Sequence, residues 1–168
     1  MQRTFRGEFP QKIDNKGRVS IPANFRRVLE ACDPDWLPGG SADPKLIIVY
    51  GDASRQFLEG YSAESMANVE AKIKAMKSGA RKQYMTRFFS TLTWDTTVDS
   101  SGRLVLPKRL RDKIGLTDAT EAMFAGTLDT FQIWHPDAYD ALQAQRDAEA
   151  LDGFEPGMDP TMMLDMEE

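Results

Sequence analysis

Between Arg18 and Pro22 the chain reads RVSIP, with Val19 and Ile21 apolar and Arg18 and Ser20 polar. A two-residue period of this kind predicts a strand with one buried face. The same alternation runs through Leu92, Trp94, Thr96 and Val98 in TLTWDTTVD. Apolar runs at 46–50 (LIIVY), 56–61 (QFLEGY), 121–126 (EAMFAG) and 130–134 (TFQIW) predict four more strands. Helical spacing appears after Ser62, a capping residue followed by the stripe Met66, Val69, Ile73 and Met76. Pro136 opens another helix that runs to about Ala150. Two short helices, ANFRRVLEA and KRLRDKI, follow Pro22 and Pro107, which are expected at the first helical position, and Gly115 stops the second. Residues 80–90, ARKQYMTRFFS, fit a helix, although Phe88-Phe89 suit the start of a strand equally well. The pattern as a whole predicts a mostly β chain with short helices, an α+β fold.

The pattern also repeats. At an offset of 85 residues Asp14, Gly17, Arg18 and Pro22 match Asp99, Gly102, Arg103 and Pro107. Apolar positions match at Ile13/Val98, Val19/Leu104, Ile21/Leu106, Phe25/Leu110 and Leu29/Ile114, and Arg26 matches Arg111. Two copies are too few for a solenoid, so a pseudo-symmetric pair closing one shared core is expected. Within each copy, Asp-x-x-Gly suits a type I turn whose glycine takes the positive φ of a bulge. Asp14–Gly17 and Asp99–Gly102 are therefore predicted hairpin tips. The expected units are residues 1–79 and 80–150, followed by an acidic tail, 151–168, whose Gly and Pro content and lack of periodicity predict disorder.

Charge changes the picture more than composition does. The chain of 168 residues carries a formal net charge of −5, which looks wrong for a partner of nucleic acid. Resolved along the sequence, residues 1–29 carry +5 and 81–113 carry +5, against −3 for 30–80 and −12 for 114–168. The two basic blocks coincide with the two copies of the motif. No apolar run is long enough to span a membrane, and MQRTFRGEF lacks the apolar core of a signal peptide, so a cytoplasmic protein is expected. With one cysteine, Cys32, and one histidine, His135, neither an intrachain disulfide nor a structural zinc site is expected. Cys32 reads as a small buried thiol, and His135 as a residue at a strand-to-helix junction.

The candidate chemistry lies at the tips. Arg18 and Arg103, with Lys16 beside the first, have the form of groups that enter a nucleic-acid groove, because a β-hairpin is slim enough to fit and arginine contacts guanine edges or phosphates. The basic helix residues Arg26, Arg27, Lys108, Arg109 and Arg111 add to this reading. The plainer alternative is an ion pair within each turn, Asp14–Arg18 and Asp99–Arg103, that braces the structure. Two aspartates from two half-chains also resemble the dyad of an aspartic protease. Against that, the spacing before glycine differs, Lys16 adjoins one acid, and each half is much shorter than a protease lobe. No glycine-rich phosphate loop of the required spacing appears. No catalytic residue is expected, and a ring-forming module that binds an acidic protein is the non-enzymatic alternative.

These residues resemble a known family. Paired Asp-x-x-x-Arg motifs, FRGEF at the start and DNKGRVSIP after it, look like the MraZ family, a tandem member of the SpoVT/AbrB-like swapped-hairpin group. The resemblance covers roughly residues 1–145. It implies two swapped-hairpin units in a pseudo-dimeric, double-psi-like β-barrel, and chains that close into a ring. It implies a non-enzymatic, nucleoid-associated transcriptional regulator of the bacterial division and cell-wall gene cluster, binding short direct repeats upstream of its own operon. No cofactor, small-molecule substrate or membrane is implied. The DNA-binding positions carried over are Arg6, Lys16, Arg18 and Arg103, with Asp14, Gly17, Asp99 and Gly102 as turn residues. Ser100-Ser101 replaces Asn15-Lys16 in the second copy, which makes the first tip the better candidate for contact.

Overall fold

A computed structural model describes residues 3–166. Its first half contains β1 (Glu8–Lys12), β2 (Arg18–Ser20), α1 (Ala23–Ala31), β3 (Lys45–Val49), β4 (Leu58–Tyr61) and α2 (Ala63–Ala75). A connecting helix, α3 (Ala80–Thr86), runs into one π-helical turn, Arg87–Thr91. The second half repeats the order with β5 (Thr93–Thr97), β6 (Arg103–Val105), α4 (Lys108–Lys113), β7 (Glu121–Gly126), β8 (Thr130–Trp134) and α5 (Pro136–Ala150). The α+β class expected from the hydrophobic pattern holds.

Six strands form one antiparallel sheet in the order β1-β7-β8-β4-β3-β5, and β2 pairs with β6 as a separate ribbon. Exchanging the two copies leaves that order unchanged, so the repeat in sequence is a pseudo-two-fold axis in space. Each copy's first strand is swapped. β1 pairs with β7 of the other half, from Glu8↔Ala125 to Lys12↔Glu121, and β5 pairs with β3 from Lys45↔Thr97 to Val49↔Thr93. The halves 1–79 and 80–150 are thus interleaved, each contributing its first strand to the far side of the other's pair. The ladder runs from β1 to β5 without joining end to end. The ribbon's inward residues, Val19 and Leu104, belong to the same core as Leu46, Ile48, Ala122 and Phe124 on the sheet.

That core holds a cluster of rings donated by both halves. Phe25 lies 5.4 Å from Phe5, 5.5 Å from Phe9 and 5.2 Å from Phe131, centroid to centroid. Such edge and tilted contacts add to the burial of large apolar area. The loop between α1 and β3, longer than its counterpart before β7, is organised around buried Asp33. Its carboxylate accepts from the Asp35 amide at 2.9 Å and the Lys45 amide at 2.9 Å, so both oxygens of a buried polar side chain are hydrogen-bonded.

Several local expectations are sharpened. Ser62 caps α2 as expected, accepting from the Ser65 amide at 3.0 Å. His135 caps α5, its Nδ1 accepting from the Asp137 amide at 3.1 Å. Pro22 and Pro107 do not occupy the first helical position. They stand one residue earlier, with ψ of 137° and 147°, and their carbonyls accept the first helical hydrogen bonds. Phe88 and Phe89 start no strand, because the π turn rotates both against Tyr61, Tyr84 and each other. Of the α2 stripe only Met66 is buried. Beyond Ala150 the acidic segment forms turns and a 3-10 helix, Pro160–Asp165, with Leu164 85% exposed.

Phe25 bridges rings from both halves, so Phe25→Ala should destabilise the protein by about 3–5 kcal/mol in urea unfolding. A loss under about 1 kcal/mol would show that the ring cluster is not what joins the halves.

Candidate nucleic-acid interface

The two tips form as the turn chemistry predicts. In the first, the Gly17 amide donates to the Asp14 carbonyl at 3.0 Å and the Asp14 amide to the Arg18 carbonyl at 3.1 Å. The Asp14 carboxylate accepts from the amides of Lys16 at 3.0 Å and Arg18 at 2.9 Å. In the second, Asp99 accepts from the amides of Ser101 and Arg103, each at 2.9 Å. Gly17 and Gly102 take φ of +86° and +76°. Each tip is also tied to the other copy: the Leu106 amide donates to the Gly17 carbonyl at 2.8 Å, and the Ile21 amide to the Gly102 carbonyl at 2.9 Å. The tips are therefore the two ends of one rigid object, the β2–β6 ribbon.

The ribbon has a clean division of faces. Val19 and Leu104 point into the core at 1% exposure, whereas Arg18, Ser20, Arg103 and Val105 point outward. The register places Arg18 opposite Val105 and Ser20 opposite Arg103. The two arginines thus occupy diagonal corners of a four-residue patch, about 7–8 Å apart at the backbone. Lys16 is exposed at the first tip.

Both arginines pair with their turn acids, but unequally. Arg18 Nε donates to Asp14 Oδ2 at 2.6 Å, whereas Arg103 Nε stands 3.7 Å from Asp99 Oδ2. The bonded edge is Nε, which leaves the terminal Nη groups of Arg18 outside that bond. Bracing the turn and presenting a guanidinium to a partner are therefore compatible. The Arg18 amide, followed by its side chain, holds the Asp14 carboxyl below the ordinary carboxylate range.

The structure brings Arg18 and Arg103 onto one face of the ribbon, with Lys16 exposed in the first turn and Asp14, Gly17, Asp99 and Gly102 forming the two tips. Arg6 is elsewhere: it precedes β1, its carbonyl accepts from Asn24 at 3.1 Å at the start of α1, and its side chain is exposed beside Thr4. Two cations that the sequence placed with the partner-facing set lie beneath the tips instead. Arg111 donates from Nε to the Leu106 carbonyl at 3.1 Å and from Nη1 to the Asn15 carbonyl at 3.3 Å. Its symmetry mate Arg26 lies against Gly102, with Nε buried. Lys108 pairs with Asp112 at 2.7 Å, and Arg109 stacks 5.1 Å over Tyr50. A count of charges cannot see this, although the matched positions Arg26 and Arg111 were a signal of shared duty. Sequence reading also passed over Ser20 and Val105, whose outward parity follows from the alternation that buries Val19 and Leu104.

A side chain at Gly17 would collide with the Leu106 backbone carbonyl as well as straining a positive φ, whereas Gly39, at φ +74°, has open space around it. Gly39→Ala should cost about 1–2 kcal/mol for its backbone conformation alone, and Gly17→Ala clearly more, in urea unfolding. Equal losses would mean that the tip can shift away from the other copy. The folded state lowers the Asp14 pKa, so its contribution is present above the unfolded value of about 3.9 and is lost as pH falls through the folded value below it. Carbon-13 NMR of this carboxyl should show a midpoint under about 3.9, and a midpoint at or above that would contradict the tip geometry.

Comparison with known proteins places the whole chain. The family model described as "MraZ protein, putative antitoxin-like" matches residues 4–89 and 92–155. The transcriptional regulator MraZ of Ruegeria pomeroyi is 51% identical over 166 residues, covering 98% of this chain and 97% of the relative. The protein of the same name from Ruegeria sp. strain TM1040 is 48% identical over the same shares, and that of Cereibacter sphaeroides strain ATCC 17025 is 43% identical over 171 residues, 98% of each chain. A family model spanning both copies of the motif and relatives aligned nearly end to end place it: this chain belongs to the MraZ family.

Proposed function

We propose that this chain is a DNA-binding transcriptional regulator that presents the β2–β6 ribbon to the major groove of double-stranded DNA. The observation that carries the reading is the outward face of that ribbon, where Arg18 and Arg103 stand at diagonal corners of a rigid patch held from below by Arg111 and Arg26. A two-stranded ribbon fits a major groove, and an arginine fixed through Nε keeps its Nη groups for guanine O6 and N7 or for phosphate. The names of the relatives, transcriptional regulators, support the same reading. Lys16 adds a second cation at the first tip, so Arg18 is the principal contact and Arg103 the lesser one. Arg6, away from the ribbon, reaches flanking phosphate.

A single patch neutralises few phosphates and binds weakly. The family resemblance supplies the remedy: several chains in a closed ring meet successive direct repeats upstream of the operon, in the division and cell-wall cluster, and avidity rises without new contacts. The −12 carried by residues 114–168 repels DNA and turns the ribbon toward it.

Gel shifts across a salt series, on DNA upstream of the protein's own gene and on a scrambled duplex, test this reading. Log affinity should fall with log salt by roughly 0.9 per neutralised phosphate, and the upstream duplex should bind more tightly. Equal or unmeasurable binding would favour the ring-forming module that binds an acidic protein. Arg18→Ala should weaken binding and lower the salt slope by about 1, with oligomer mass and melting temperature nearly unchanged. Arg103→Ala should cost less, and an equal loss would reverse the ranking of the two tips.

A further inference from the structure

The pseudo-two-fold axis passes through the ribbon between Val19 and Leu104, and it maps Arg18 onto Arg103. It also maps Ser20 onto Val105, and here the symmetry breaks. One cross-strand row of the outer face is Arg18 with Val105, and the other is Arg103 with Ser20. Val105 is 53% exposed, although Leu104 beside it and Leu106 after it are both buried. An isopropyl group thus stands in the open next to the best-placed arginine of the surface, and a hydroxyl stands in the equivalent place.

We propose that Val105 and Ser20 make the ribbon read its two half-contacts differently: Val105 packs on the C5-methyl of a thymine, and Ser20 hydrogen-bonds to a base edge in the other half. This inference rests on the regulator reading above and assigns base choice within it. The chemistry follows from what a major groove displays. Thymine offers the only methyl group there, and a small apolar side chain is its complement, whereas a hydroxyl serves either as donor or as acceptor. The arginines stand at symmetry-related positions and offer the same group to both halves, so their unequal pairing ranks the contacts without changing which base each can read. A two-fold ribbon with one apolar and one polar centre reads a directional element, and that suits direct repeats, each of which has a polarity.

The test uses the full-length protein and its upstream duplex, with thymines replaced singly by deoxyuridine, which removes only the methyl group. Wild-type protein should lose about fourfold in affinity at one thymine of each repeat, the value for burying one methyl-sized group. Val105→Ser, which puts the same hydroxyl at both central positions of the outer face, should lose that dependence while still distinguishing upstream from scrambled DNA. Ser20→Val should gain a new thymine dependence in the opposite half. Valine also favours strands, and a purely structural role would lower the melting temperature of Val105→Ser while leaving the same thymine important. That result overturns the inference, as does a wild-type protein that discriminates upstream DNA yet tolerates every replacement. A protein that binds scrambled and upstream DNA alike overturns the regulator reading and this inference together.

Discussion

Two backbone hydrogen bonds, from Leu106 to the Gly17 carbonyl and from Ile21 to the Gly102 carbonyl, join the two copies of one motif into a single ribbon. Each uses a carbonyl freed by a glycine at positive φ, in a turn that its own aspartate organises. Because the acceptor lies in one copy and the donor in the other, neither tip is complete alone. The buried residues of the ribbon then enter the common core, and the outer residues are left in fixed register. The position of every candidate contact residue on this face depends on that reciprocal pairing.

The arginines divide by what lies beneath them. Arg111 and Arg26 come from helices that follow the ribbon, and they spend their donors or their bulk on the underside of the opposite tip. Arg18 and Arg103 come from the ribbon itself and point away. The same residue type thus serves as strut and as outward group, within a few residues. Hydrogen bonds from the Arg18 amide and side chain hold the Asp14 carboxyl below its ordinary range, which favours the ionised form that organises the first tip.

Much of this was legible in the residues. The strands at Glu121–Gly126 and Thr130–Trp134 and the helix at Pro136–Ala150 coincide with the periodicity read from the chain, because each is bounded by a turn or a capping residue. Asp-x-x-Gly fixed the tips by turn chemistry alone. What periodicity does not carry is the identity of a strand's partner: alternation says that β1 has a buried face, not that it lies beside β7. The π turn at Arg87–Thr91 was hidden for a similar reason, since a helical and an extended start both fit Phe88-Phe89 until Tyr61 is known to lie against them. At the site, sequence found the charged residues and missed their placement, because the half-buried position of Arg26 and Arg111 under the opposite tips follows from the pairing of the copies.

The swapped first strand has a consequence for how the chain is made. Lys12 pairs with Glu121, so β1 leaves the ribosome more than a hundred residues before the strand it joins. At about 5–20 residues per second, the edge of β1 that pairs with β7 waits some seconds without its partner. During that interval the nascent first half has β3 and β4 available to one another, while the β1 ladder still lacks β7. A second nascent chain on the same message offers the same vacant position, which makes polysomes the place where this architecture is most exposed to pairing between the wrong copies.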